Sequence, residues 1–168
     1  MTLDIGCYAT TMARYNRWMN ERLYSVAGTL TEQQLREERG LFFGSIYGTL
    51  NHLLVCDRMW LARFAGQPSP VTSLTEELCR DFTRMTRARE QTDQDISAWA
   101  RTLVLSPPPE WLHYVSLADR ADRRVNFSRA IVHFFNHQTH HRGQVTAALS
   151  QQGLDFGVTD LIFMPENE

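Results

Sequence analysis

The sequence predicts a single all-α domain, a four-helix bundle with a short β-hairpin before the last long helix. Three observations carry that prediction. Helical periodicity recurs in four segments of about 20 to 28 residues. The segments are separated by Gly- and Pro-bearing or polar breaks, with mostly modest links, no internal repeat and no low-complexity tract. The length of 168 residues suits one domain spanning 1–168, enough to bury roughly 70% of the surface of the unfolded chain.

The first segment, residues 5–27, alternates Tyr8, Met12, Tyr15, Met19, Leu23 and Val26 by four and three, which places them on one helix face. In the connection that follows, Thr31 with Gln34 reads as the cap of a helix of one or two turns. The second segment, residues 45–64, has Ser45 as N-cap after Gly44. Its apolar surface comes from Ile46, Leu50, Leu53, Leu54, Trp60, Leu61 and Phe64. Gly66, Pro68 and Pro70 end it. Ser73 with Glu76 reads as a capping box that opens the third segment, where Leu78, Phe82, Met85, Thr92, Ile96, Trp99 and Leu103 keep heptad-like spacing. Pro107, Pro108 and Pro109 stop it. Residues 113–117 and 123–127 then flank the polar stretch Ala118, Asp119, Arg120, Ala121 and Asp122, the pattern of a short hairpin. The fourth segment, residues 128–152, ends at Gly153.

Composition excludes several functions. Hydrophobic residues make up 43% and charged residues 21%, as in an ordinary globular protein. A net charge of −2 and a pI near 6.3 leave no basic footprint for nucleic acid. All 17 basic residues are Arg, so neither a Schiff base nor a Walker-A phosphate loop is available. Cys7, Cys56 and Cys79 have no regular spacing, which argues against a disulfide framework and for a reducing cytoplasm. The N-terminal stretch lacks a basic and then apolar signal pattern, and no apolar run reaches the ~18 residues of a membrane span. Expected partners are therefore small molecules, with neither nucleic acid nor membrane.

Chemistry concentrates in the fourth segment, where four of the six histidines fall between positions 133 and 141. At 100° per residue its buried stripe reads Ala130, Phe134, His137, His141, Val145 and Ala148. His137 and His141 thus occupy positions that demand apolar side chains, while His133 and His140 lie further round. Imidazoles one turn apart can converge on one ion, and burying them without partners costs of order 1–3 kcal/mol each. The second segment has a similarly polar line through Ser45, Thr49, His52, Cys56, Met59 and Arg63. If the two polar lines face each other, His52, His137 and His141 form a metal site of the kind bundles build between facing helices. The same spacing also fits three separate core histidines, each bonded to a carbonyl. Three imidazoles leave a coordination position open, as in catalytic sites, and suit Zn²⁺, Ni²⁺, Fe²⁺ or Cu²⁺. Cys56, one turn after His52, is a further ligand candidate, although a buried free Cys is usually a small hydrophobe.

Other features carry less. The run Gly44, Ser45, Ile46, Tyr47, Gly48 has its Ser beside the first Gly and no strand before it, so it is not a nucleophile elbow. Arg80, Arg84 and Arg87, with Glu76, Glu77 and Glu90 nearby, read as a solvated ion-paired face. Arg142 and Gln144 flank His141 and fit supporting or substrate contacts or, equally, the helix surface. The sequence assigns no catalytic residue.

Three strings together resemble the DinB family of damage-inducible bacterial proteins. They are Tyr15-Asn16-Arg17-Trp18-Met19-Asn20, Asn51-His52-Leu53-Leu54 with Trp60, and His137-Gln138-Thr139-His140-His141-Arg142-Gly143-Gln144. The last is the most specific, and the order and spacing match along nearly the whole chain. The resemblance implies an up-down-down-up bundle, often a homodimer, with a divalent metal on His52, His137 and His141 and no ligand role for His133, His140 or Cys56. Zn or Ni is the expected metal. Characterised relatives include thiol-dependent transferases using bacillithiol, mycothiol or glutathione, and a mycothiol-dependent maleylpyruvate isomerase. This chain departs from the pattern in its hairpin turn, where residues 119–122 lack the usual glycine. The expected function is a metal-dependent thiol S-transferase with a low-molecular-weight thiol as co-substrate. The alternatives are a metal-water hydrolase and a non-catalytic, stress-induced metal- or ligand-binding module.

Overall fold

The computed structural model describes residues 4–166. Four long helices form the body: α1 (Ile5–Ala27), α3 (Ile46–Phe64), α4 (Phe82–Leu105) and α5 (Phe127–Ser150). A short α2 (Glu32–Arg36) lies between α1 and α3, and a hairpin of β1 (Trp111–Val115) and β2 (Asp122–Asn126) lies between α4 and α5. Side-chain oxygens cap each helix start: Asp4 accepts from the Cys7 N–H, Ser45 from Gly48, Asp81 from Arg84 and Asn126 from Arg129. Thr31 and Gln34 form the expected reciprocal capping box on α2.

The contacts define the topology. Tyr24 near the end of α1 stacks on Phe82 at the start of α4, so those two helices run antiparallel. Trp60 on α3 meets His133 on α5, and Phe64 meets Phe127, while His52 meets His141; α3 and α5 are also antiparallel. Arg58 reaching Thr92 and Phe64 stacking on Trp99 make α3 and α4 parallel. The order is up-down-down-up.

The core divides into two apolar ends. One gathers Ala13, Val55, Met59, Ile96, Phe134 and Phe135; the other gathers Leu23, Ile46, Leu50, Met85, Val145 and Leu149. Between them lies a buried polar layer with two acids and two arginines. Asp57 on α3 accepts from Arg89 on α4 at 2.5 Å and from the Gln138 amide on α5 at 2.9 Å. Arg89 Nη2 is ion-paired with Asp93 at 2.9 Å. Asn16 and Asn20 on α1 donate to Asp93 at 2.9 and 3.0 Å, and Arg142 on α5 donates to Asn16 Oδ1. All seven side chains are buried. Equal numbers of opposite charges make that burial tolerable, and the layer fixes the relative heights of all four helices.

Two local features differ from the sequence reading. The third long helix starts at Phe82, not near Ser73. The Ser73 hydroxyl instead bonds Thr75, and the Glu76 carboxylate reaches back to the Thr72 N–H. Asn51 accounts for the difference, because its amide donates to the Glu76 carbonyl at 2.8 Å and accepts the Leu78 N–H at 2.9 Å. The Tyr47 hydroxyl donates to the Cys79 carbonyl at 2.6 Å. These bonds take up main-chain groups that a helix over 73–81 would use. In the hairpin, Arg120 takes the left-handed conformation, φ 58°, that the usual glycine would supply. Its N–H bonds the Ser116 carbonyl, closing the turn. No helix among the described residues is long and apolar enough to cross a membrane.

Candidate metal centre

His137 and His141 stand one turn apart on α5, and His52 faces them from α3. His52 Nε2 lies 3.2 Å from His137 Nε2. The ring centroids are 5.2 Å apart for His52 and His137, 4.8 Å for His52 and His141, and 4.4 Å for His137 and His141. Three imidazoles bound tetrahedrally at about 2.0–2.1 Å hold their donor atoms about 3.3 Å apart and their ring centres about 5 Å apart. His52 and His137 stand at that donor spacing, and the His141 ring stands beside both at the ring spacing.

The ligand atoms that converge are those of His52, Cys56 and His137, all within 4.8 Å of one another, a group that leaves out His141. These residues can hold a metal ion. The position of the thiol is informative, since Sγ is 3.5 Å from His52 Nε2 and 3.7 Å from its Nδ1. An atom nearly equidistant from both ring nitrogens sits by the Cε1 side of the imidazole, off the lone-pair axis of Nε2. In this conformer Cys56 packs against the ring.

The electrostatics favour a cation. Burial, reinforced by His141 and opposed by a hydrogen bond with the Leu74 main chain, pushes the His52 ring down to about 4. Burial and then the neighbouring histidines push His137 down to about 3. His141 is lowered by burial against the opposing effect of Gln144. The three rings are therefore neutral at pH 7, with lone pairs available. Burial pushes the Cys56 thiol up to about 12, which leaves it protonated.

Supporting contacts orient the rings. His141 Nδ1 donates to Gln144 Oε1 at 2.7 Å, which leaves Nε2 as the donor atom for an ion. The Leu74 main chain reaches His52 because Asn51 holds the segment just beyond Leu74 in its non-helical course. Phe43, from the loop before α3, stacks on His52 with centroids 3.7 Å apart and rings 20° from parallel. It also meets the edge of His141 at 5.5 Å.

Two of the remaining histidines border this triangle: His133 packs on Trp60 at 5.3 Å with its ring 5.9 Å from that of His137, and His140 is exposed with its ring 4.9 Å from that of His141. His113 is exposed on β1. Ser45 serves as the α3 cap. Arg84 pairs with Asp81 on the surface, as a solvated face requires. Arg142 is no substrate contact but part of the buried polar layer, whereas Gln144 does support His141. Sequence reasoning missed Phe43 and the acids and arginine of that layer, Asp57, Asp93 and Arg89.

The fold is a four-helix bundle with an up-down-down-up course whose antiparallel α3 and α5 carry, between them, a His/Cys cluster that can hold a metal ion. The DinB family model matches residues 5–168, and the chain belongs to the DinB family. It is 26% identical to Protein DinB of Bacillus subtilis (strain 168), over 96% of this chain and 97% of that protein.

Proposed function

We propose that this chain is a divalent-metal-dependent enzyme acting on a small molecule, with His52, His137 and His141 as ligands of Zn or Ni and a low-molecular-weight thiol as co-substrate. The observation that carries the reading is the 3.2 Å approach of two neutral imidazole nitrogens from different helices, with a third ring alongside. Such an approach between uncharged lone pairs is unfavourable without a cation or a shared proton. The thiol reading draws on the family's characterised transferases.

A bound divalent ion supplies Lewis acidity that lowers the pKa of a coordinating thiol or water. The chain's own residues do the rest. Gln144 and the Leu74 main chain hold two rings in place. The buried polar layer sets the heights of α3 and α5. Phe43 covers one face of His52, and the Cys56 sulfur packs near its Cε1. Three protein ligands leave one position for a guest sulfur.

The test is metal analysis of untagged protein, then conjugation of chlorodinitrobenzene to several low-molecular-weight thiols. Wild type is expected to carry about one equivalent of metal and to conjugate a thiol, and His137→Ala to lose both. Full metal content in the variant would overturn the ligand assignment. A metal-replete wild type inert toward every thiol but active on esters or amides would replace the transferase by a hydrolase on the same site.

A further inference from the structure

We infer that the molecule acted on at the cluster carries an anionic group, a carboxylate or a phosphate ester, and that Arg63 binds it. The inference rests on the metal-dependent reading above and names the substrate class for that site. Arg63 lies eleven residues after His52 on α3, which returns it to the same helix face after about three turns. Helical side chains lean toward the N-terminus, so Arg63 leans back toward the cluster. Its guanidinium carbon stands 4.7 Å from the centre of the Trp60 ring and 4.1 Å from that of Tyr114. Trp60 packs on His133 at 5.3 Å, and His133 lies 5.9 Å from His137. These contacts make one wall from the hairpin to a metal ligand. His133 is exposed and His137 half-buried, so the wall is open to solvent.

Arg63 differs from the other arginines withdrawn from water. Arg89 donates to Asp57, and Arg142 to Asn16. Arg63 is half-buried, yet among the described residues nothing accepts a hydrogen bond from its side chain, and two aromatic rings hold it instead. Burial lowers its pKa, and no carboxylate is among the groups whose charge acts on it. Ring contacts position a guanidinium without using its N–H donors. A fixed planar fork with unused donors suits two oxygens of one anion, accepted in parallel.

The test begins with binding. Quenching of tryptophan fluorescence would be titrated with 1,3-dinitrobenzene, 3,5-dinitrobenzoate and 3,5-dinitrophenyl phosphate, which share a ring and differ in charge. Wild type is expected to bind an anion about tenfold more tightly than the neutral ring, and the tighter anion tells carboxylate from phosphate ester. Arg63→Gln is expected to lose that preference. Arg63→Lys, which keeps the charge without the fork, should keep part of it, and circular dichroism melts verify folding. No preference in wild type overturns the inference. So does a preference that survives in Arg63→Gln, which would place the anion elsewhere, on the metal for instance. Turnover with 2-mercaptoethanol separates this inference from the reading beneath it. Chlorodinitrobenzene and 4-chloro-3,5-dinitrobenzoate each lose chloride as the carbon–sulfur bond forms, and the thiol proton passes to buffer. Relative to the uncatalysed rates, wild type should favour the benzoate about tenfold more than Arg63→Gln does. Equal preference in the two proteins overturns Arg63 as the selector. Arg63-dependent binding without turnover of either electrophile removes the transferase and upholds the anion site.

Discussion

Asp57→Asn tests the claim that the buried layer holds the bundle by charge balance. Asp57 accepts from Arg89 at 2.5 Å and from Gln138 at 2.9 Å, and its side chain is 1% exposed, against 4% for Arg89. The amide has nearly the same shape, so cavity formation contributes little. The substitution removes one of two buried negative charges, leaves Arg89 and Arg142 facing Asp93 alone, and turns an N–H toward Arg89 or Gln138. Breaking a buried pair on one side costs about 3–5 kcal/mol. For a domain of this size each kcal/mol lowers Tm by about 2–4 °C, so a fall of roughly 6–20 °C is expected. The assay is reversible urea unfolding of metal-free protein at pH 7, backed by calorimetry. Asp57→Asn combined with Arg89→Met, which restores neutrality, should recover part of the loss. A cost below about 1 kcal/mol would mean the layer is hydrated enough to tolerate the imbalance, and the reasoning would fail.

Three further outcomes follow from the histidine cluster and the hairpin turn. Protons compete with a cation for the same ring nitrogens, and His52 and His137 take up protons only near about 4 and about 3. Metal affinity should stay flat from pH 7.5 to about 5 and then fall, whereas a steep decline starting at the ordinary histidine value near 6.5 would contradict the buried, neutral cluster. The metal-free protein shows the other side of this linkage. Its unfolded chain binds protons first, so stability should drop as pH falls from about 6.5 toward 4, read by urea midpoints. In the hairpin, Arg120→Gly relieves a left-handed arginine and should raise stability by about 1 kcal/mol, net of the extra chain entropy of glycine. No gain in the melting curve would mean the turn is unstrained.

The cluster was legible because His137 and His141 interrupt an apolar stripe at helical spacing and His52 interrupts a second one. The rings of His52, His137 and His141 lie 4.4 to 5.2 Å apart, and the ligand atoms that converge are those of His52, Cys56 and His137. The polar layer was harder to read. Arg89 follows Arg80, Arg84 and Arg87 in a segment rich in charge, and nothing local distinguishes it from its solvated neighbours. Its burial depends on Asp57, 32 positions earlier. Asn16, Asn20 and Arg142 lay in plain view within recognisable strings, yet their partners come from other helices. The start of α4 was misplaced for a related reason: Ser73 and Glu76 satisfy a local capping rule, but Asn51 from a distant turn claims the main chain first. Phe43 left no periodic trace, because it lies on a loop.

The central layer also bears on how the chain assembles. Detached from its partner, the α1–α4 half would leave Asn16 without Arg142 and Arg89 without Asp57. The α3–α5 half would carry the complementary vacancies. Neither half is therefore a comfortable resting place, and the protein should melt as one unit, with helical signal and tertiary fluorescence vanishing together.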